Sequence, residues 1–337
     1  MVFFRTQRPI EERVFEGLPF TSECLEIGAP GRRINGWLRY LRQVYRTART
    51  TRAQLETDFD VAFGLGGYAS LPGVLAARRV GVPVVLLEQN AVAGRANRWL
   101  APLADAVSCA YPMTGVRLGK RVAVTGNPVR QEVLAARRRR AHVRGSSARP
   151  RTVLVCGGSQ GAHAINLAIC RALPELIDFR SRIRFIHIAG SADKQLVMDA
   201  YRKSSWSAEV LDFSLRLPDL LADSDLVVAR GGGTTIAELA VLGVPAVVVP
   251  YPHHRDRHQI ENAARSARAG AAQLVAENDF SATTLRQVFD EVLFSPGRLQ
   301  AMEEGALALA RPHAADAVLD LAVELKLERC RSRFASS

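Results

Sequence analysis

Lysine is nearly missing from this chain: Lys120, Lys194, Lys203 and Lys326 are four among 45 basic residues. The other 41 are arginines, a bias that GC-rich codons can produce on their own. Paired cysteines are missing too. Cys24, Cys109, Cys156, Cys170 and Cys330 are odd in number and show no C-x-x-C spacing. That argues against a disulfide framework or a zinc site and for a reducing cytosol. No apolar run approaches the ~18–20 residues that a bilayer crossing needs. The opening Met1-Val2-Phe3-Phe4-Arg5 has no signal-peptide layout. These absences read as a soluble, cytoplasmic protein.

What is present is ordinary for a globular chain, apart from its charge. With 337 residues, 48% hydrophobic and 23% charged, there is material for two cores. Basic residues outnumber the 33 acidic ones, for a net charge of +12. Such a charge attracts nucleic acid, phosphorylated substrates or anionic lipid. The densest run, Arg137 to Pro150, has four consecutive arginines but no interleaved aromatics, so it reads as a solvated linker and not a nucleic-acid patch.

Short β-rich runs alternate with helical stretches on both sides of that run. Strands are expected at 60–63, 82–87, 106–109 and 122–124, then at 152–156, 183–188, 226–229 and 246–249. The tail from Phe280 to Lys326 reads as helical. Strands spaced by 10–15 helical residues imply βαβ units on parallel sheets. The expected fold class is α/β, with two doubly wound domains: residues 1–136 and 151–312, a linker over 137–150 and a helical tail over 313–337. Ligands of such sheets bind beyond the carboxyl ends of the strands, so both Gly-rich loops are expected to face one cleft.

Gly157-Gly158-Ser159-Gln160-Gly161 sits where a strand turns into a helix, a place suited to phosphate. Arg230-Gly231-Gly232-Gly233-Thr234-Thr235-Ile236-Ala237-Glu238 repeats that logic, and Glu238 suits a grip on a ribose diol. In the loop Pro250 to Ala263, His254 and His258 have i,i+4 spacing but no H-E-x-x-H, so sugar recognition by His258 and Gln259 is preferred over metal. No metal or cofactor is expected. Gly64-Leu65-Gly66-Gly67-Tyr68 gives the first domain its own anion-suited turn. Arg130, after Gly126-Asn127-Pro128-Val129, can fork onto a diphosphate. On a helix from Trp37, Leu38, Leu41, Val44, Tyr45 and Ala48 fall in an arc of about 120°, with Arg39, Arg42, Arg46 and Arg49 beside it. That pattern fits either a helix on an anionic membrane or one packed on the sheet.

In this order, with Glu88-Gln89-Asn90-Ala91-Val92-Ala93-Gly94, Asn97, Ala162 and Asn262-Ala263, the motifs resemble the MurG family. These are UDP-N-acetylglucosamine–N-acetylmuramyl-(pentapeptide) pyrophosphoryl-undecaprenol N-acetylglucosamine transferases of the GT-B fold. The resemblance implies transfer of N-acetylglucosamine from UDP-GlcNAc to the 4-hydroxyl of lipid I, with inversion, in peptidoglycan synthesis. It implies that Arg130, Gly158, Ser159 and Thr235 hold the diphosphate and Glu238 the ribose. Asn90, Gly233, His258 and Gln259 would hold the sugar, and Phe213 to Leu217 would lie near the uracil. Gly66, Gly67 and Tyr68 would face the acceptor diphosphate. Trp37, Leu38, Leu41, Arg42, Tyr45 and Arg46 would dock on the anionic cytoplasmic face of the cell membrane. No nucleic-acid partner is implied.

The family also opens with a strand, a loop of the type Gly-Gly-Thr-Gly-Gly-His and a helix. None of these is found here, so the first domain reads as N-terminally truncated. The histidine thought to serve as general base belongs to that loop, and none of the seven histidines takes its place. The catalytic residue is therefore unassigned. A misplaced start codon is the expected cause; true loss would leave exposed sheet edges and a UDP-sugar binder with little or no transfer. The alternatives are such an impaired homologue or a GT-B UDP-N-acetylglucosamine 2-epimerase.

Overall fold

The computed structural model describes residues 1–8, 11–12, 15–16, 20–31, 33–55, 59–113, 118, 121–143, 149–157, 162–253 and 256–334. The chain divides into two compact units. One comprises Met1–Gln89, Ala93–Gly126 and Ala315–Ser337, and the other Asn90–Val92 and Asn127–Ala314.

In the first unit, β1 (Val2–Arg5) pairs in parallel with β2 (Thr21–Cys24) as a separate two-stranded sheet. A four-stranded parallel sheet runs in the order β3 (Ala62–Gly64), β4 (Val84–Glu88), β5 (Ala106–Cys109), β6 (Val122–Val124). Residues of β4 alternate between two cores, as a period of two requires. Val84 and Leu86 pack with Val74, Ala77 and Leu100, whereas Val85 packs with Ala106, Leu321, Ala322 and Leu325. Those last three belong to the long helix Ala314–Phe334, so that helix covers one face of this sheet.

The second unit holds a six-stranded parallel sheet in the order β12-β11-β10-β7-β8-β9. Its strands are β7 (Arg151–Cys156), β8 (Ile183–Ile188), β9 (Ala208–Leu211), β10 (Leu226–Ala229), β11 (Ala246–Val248) and β12 (Ala272–Leu274). Strands buried on both faces read as near-continuous apolar runs. Val153 and Val155 of β7 serve the core around Phe185 and Phe289, and Leu154 and Cys156 the opposite core. From β7 the chain first builds outwards through β8 and β9, then returns to build β10, β11 and β12 on the other side. The order therefore reverses between β7 and β10, where a doubly wound sheet opens a crevice.

Three expectations are corrected. Residues 137–143 are not linker: Gln131–Val143 is one helix. Val133, Ala136 and Arg140 form an i, i+3, i+7 stripe on its buried side, hidden in the sequence by arginines around it. Arg140 Nη1 donates to the carbonyls of Ala222 and Ser224, both at 2.6 Å. The boundary accordingly moves from 136 to Gly126/Asn127, and residues 144–148 lie outside the described set. The expected tail is no appendage, since from Ala315 it belongs to the first unit. Short β2, β9 and β12 went unread because they are brief and partly polar.

Candidate functional site

The crevice of the second unit is built by paired strands. Cys156 of β7 and Ala229 of β10 are register partners, so the two strands end side by side. Gly158 and Ser159 lie outside the described residues, as do Gln160 and Gly161. The β10 loop is described throughout. A Cβ on Gly231 would lie 2.3 Å from the Gln259 carbonyl oxygen, so only glycine permits this approach. The helix Gly233–Leu242 then begins with Gly233 buried and Thr235 half-buried.

Glu238 is buried on that helix, its side chain 4% exposed. Arg130 meets it: Nε donates to Oε1 at 2.9 Å, and Nη2 lies 2.9 Å from the same oxygen. Burial raises the Glu238 pKa above the usual glutamate value, while Arg130 pulls it back. Beneath, burial and then the Glu238 charge push the Cys156 thiol up to about 12, so it remains a neutral wall residue.

The helix His258–Arg268 brings the remaining groups. Asn262 is fully buried, and its carboxamide ties three segments. Its Oδ1 accepts from the Ala91 amide at 2.7 Å, and its Nδ2 donates to Asn90 Oδ1 at 3.0 Å and to the Gly231 carbonyl at 2.9 Å. Gln259 Oε1 accepts from the Tyr251 amide at 2.9 Å, which turns its amino group the other way. His258 Nδ1 sits 2.5 Å from Asp256 Oδ1, so the ring is held by its Nδ1 edge. Arg230 donates to the Val249 carbonyl at 3.1 Å and pairs with Glu277 at 2.5 Å, bracing the loop that carries Tyr251. His254 lies outside the described residues, so its spacing from His258 gains no geometry.

A second polar network supports the helix His163–Ala172 that follows the β7 loop. His187 is fully buried on β8, with Nδ1 3.1 Å from the Tyr201 hydroxyl and Nε2 3.0 Å from Asn166 Oδ1. Asn166 Nδ2 donates to the Ala189 carbonyl and to Asp193, both at 2.8 Å. Burial lowers the His187 pKa to about 3, although the Asp193 charge opposes this.

In the first unit, Gly66 and Gly67 occupy positive φ, at 84° and 73°. The turn rests on the buried Asn97, whose amide atoms would lie 3.4 Å from a Cβ on Gly66. Asn97 Nδ2 donates to Glu88 Oε2 at 2.9 Å, and that oxygen also accepts from the Gly94 amide at 2.8 Å. The Tyr68 carbonyl accepts from the Tyr40 hydroxyl at 2.9 Å.

The expected arc on the Ile34–Leu55 helix is divided. Val44 and Ala48 turn inward with Tyr40, and Val44 and Tyr40 pack with Leu25 and Ile27. Leu38, Leu41 and Tyr45 stay outward, at 52%, 52% and 60% exposure, beside exposed Arg42 and Arg46. Trp37 is half-buried, and its ring lies 5.6 Å from Trp99, which is 57% exposed and has Arg95 over it.

A parallel α/β sheet with a glycine-bounded helix start, a buried carboxylate and a forked arginine at its switch point is a nucleotide-binding α/β protein in class. Residues 1–109 match the glycosyltransferase family 28 N-terminal domain, and residues 152–318 its C-terminal domain. The chain belongs to the MurG family of this GT-B class. It is 36% identical to the UDP-N-acetylglucosamine–N-acetylmuramyl-(pentapeptide) pyrophosphoryl-undecaprenol N-acetylglucosamine transferase of Anaeromyxobacter dehalogenans, over all of this chain and 88% of that one. The crystal structure of Acinetobacter baumannii MurG matches with a TM-score of 0.72 and 30% identity, over 95% of this chain and 90% of that one. The UDP-GlcNAc 2-epimerase of Neisseria meningitidis reaches 0.64 over 94% and 90%, but at 14% identity it shares the fold alone.

Of the residues read from sequence, Asn90, Arg130, Gly233, Thr235, Glu238, His258 and Gln259 lie in the second unit, and Gly66, Gly67 and Tyr68 in the first. Sequence reasoning missed the supports: no role was given to Asn262, Asp256, Arg230 or Asn97. It missed Trp99 as well, although Trp99 stands four residues after Arg95, one helical turn, and that spacing was available as a signal.

Proposed function

We propose that the protein moves N-acetylglucosamine from UDP-GlcNAc to the 4-hydroxyl of lipid-linked N-acetylmuramyl-pentapeptide. The observation that carries this reading is the Arg130–Glu238 pair at the switch point, in a chain similar over its whole length to transferases of that name. Glu238 would accept from the ribose hydroxyls. Arg130, with the Ser159 loop and the start of the Gly233–Leu242 helix, would face the diphosphate. Asn90, His258 and Gln259 would read the sugar, each already oriented by a partner. Gly66, Gly67 and Tyr68 would receive the acceptor diphosphate.

In the reaction the acceptor oxygen bonds to the anomeric carbon while the bond from that carbon to the β-phosphate oxygen breaks. UDP leaves with the electron pair, and the hydroxyl proton goes to a base. Negative charge grows on the diphosphate, where a guanidinium and helix N–H groups act most strongly in a partly dry site. Leu38, Leu41, Tyr45 and Trp99, ringed by arginines, would rest on an anionic membrane carrying the acceptor.

Transfer of labelled N-acetylglucosamine to lipid I in vesicles tests the reading. Wild-type protein should form labelled lipid II, and Glu238→Ala should lower kcat/KM at least ~100-fold, as loss of a charged hydrogen bond with an unpaired partner does. Release of a 2-epimerised sugar nucleotide without lipid labelling would replace this reading with the epimerase one.

A further inference from the structure

The resting partner of Glu238 is the residue meant for the diphosphate. Arg130 places both Nε and Nη2 on one oxygen, Oε1. The two side chains differ sharply in freedom. Glu238 is 4% exposed and fixed on a helix, whereas Arg130 is 45% exposed on the segment before one. If the pair opens, the arginine is the member that moves. A buried carboxylate stripped of its partner is costly, so opening needs replacement donors. A ribose diol supplies two O–H donors to a carboxylate with room for them. The displaced guanidinium then needs an anion, and a diphosphate fits its fork better than a single oxygen does.

We propose that Glu238 and Arg130 form a latch that only a ligand carrying both a vicinal diol and a diphosphate opens fully. A free diphosphate strands the Glu238 charge, and a free nucleoside strands Arg130. A nucleoside diphosphate satisfies both at once. The latch makes the ribose and phosphate subsites cooperative and selects nucleoside diphosphates over inorganic diphosphate. This rests on reading the crevice as a UDP-sugar site.

The test follows the Arg130 Nε–H in protein labelled at arginine Nε, the resonance being assigned by its loss in Arg130→Lys. Saturating uridine should shift this resonance and speed its exchange with water, and UDP should shift it again. Uracil, which lacks the diol, should leave it in place. Titration calorimetry should find pyrophosphate bound ~5-fold or more tightly with uridine present, with uridine gaining the same factor from pyrophosphate. Glu238→Gln, its folding checked by melting temperature, should reduce that factor to one. An Arg130 resonance unmoved at saturating UDP, or coupling that survives in Glu238→Gln, overturns the latch. Failure of the wild-type protein to bind UDP at all overturns instead the UDP-sugar reading beneath it.

Discussion

Glu238 carries the clearest pH signature of the site. Its pKa is raised by burial, so it takes up a proton at a higher pH than an ordinary glutamate. The protonated form gives up its charge for both Arg130 and the ribose. UDP exchanges the guanidinium beside Glu238 for uncharged hydroxyls, which raises that pKa further, so affinity for UDP should strengthen as the pH is lowered through it, and Glu238→Gln should flatten that profile. Folding stability has the same sign. A carboxyl with a raised folded pKa contributes stability at low pH and loses it as the pH rises through that pKa. His187 has the opposite sign. Its pKa is lowered from 6.5 to about 3, so its contribution is complete above 6.5 and is lost as the pH falls towards 3. Thermal melts across that window should show up to ~1.4 kcal/mol lost per pH unit. His187→Gln should remove that slope. Asn262→Ala deletes three hydrogen bonds from a fully buried site, so a loss of about 2–4 kcal/mol is expected from denaturant melts. Asn90 would then lose its orientation, and KM for UDP-GlcNAc should rise more than kcat falls.

The Ile34–Leu55 helix shows how much an element reveals in sequence. Apolar spacing located it, and the arginines marked it as a surface helix. Its division into an inward row, Tyr40, Val44 and Ala48, and an outward row, Leu38, Leu41 and Tyr45, was not legible. Both rows are apolar, and only what packs beneath, Leu25, Ile27 and the Ser70–Val80 helix, chooses between them. The same limit hid Arg140, a charged residue placed in the core by two backbone carbonyls. The Gly-rich turns were readable because a bare backbone has few uses other than close approach, and Gly231 against Gln259 shows that approach directly. The supports of the site were opaque for a physical reason. Asn262, Asp256 and Asn97 act through partners that are distant in sequence or unmarked by spacing. The outward row has a direct test. Leu38→Ser, Leu41→Ser and Tyr45→Ser together should reduce binding to anionic vesicles at least ~10-fold in a sedimentation assay. Their exposure predicts melting within about 1 kcal/mol of wild type.

At the scale of the molecule, the two main parallel sheets followed from periodicity and the glycosyltransferase class from the resemblance of the motifs to a family, and the allocation of chain to units followed from neither. The helix Ala314–Phe334 carries apolar residues on opposite sides, with Leu319, Val323 and Leu327 exposed and Leu321, Ala322 and Leu325 buried. Its pattern alone could not say which side is covered, or by what. A chain ending at residue 314 should lose one cover of the first sheet, baring Val85 and Ala106. Calorimetry should then show the first unit melting at lower temperature, or not cooperatively, while the second keeps its transition.

That closing helix also dictates an order of events on the ribosome. The segment Asn127–Ala314 is synthesised before residues 315–337, so the second unit can complete its sheet while the first still waits for its final helix. Through that interval Val85 and Ala106 face solvent or chaperone. The first domain to begin is thus sealed only after the second is made, and a stall before residue 315 would leave a finished nucleotide fold attached to an unsealed one.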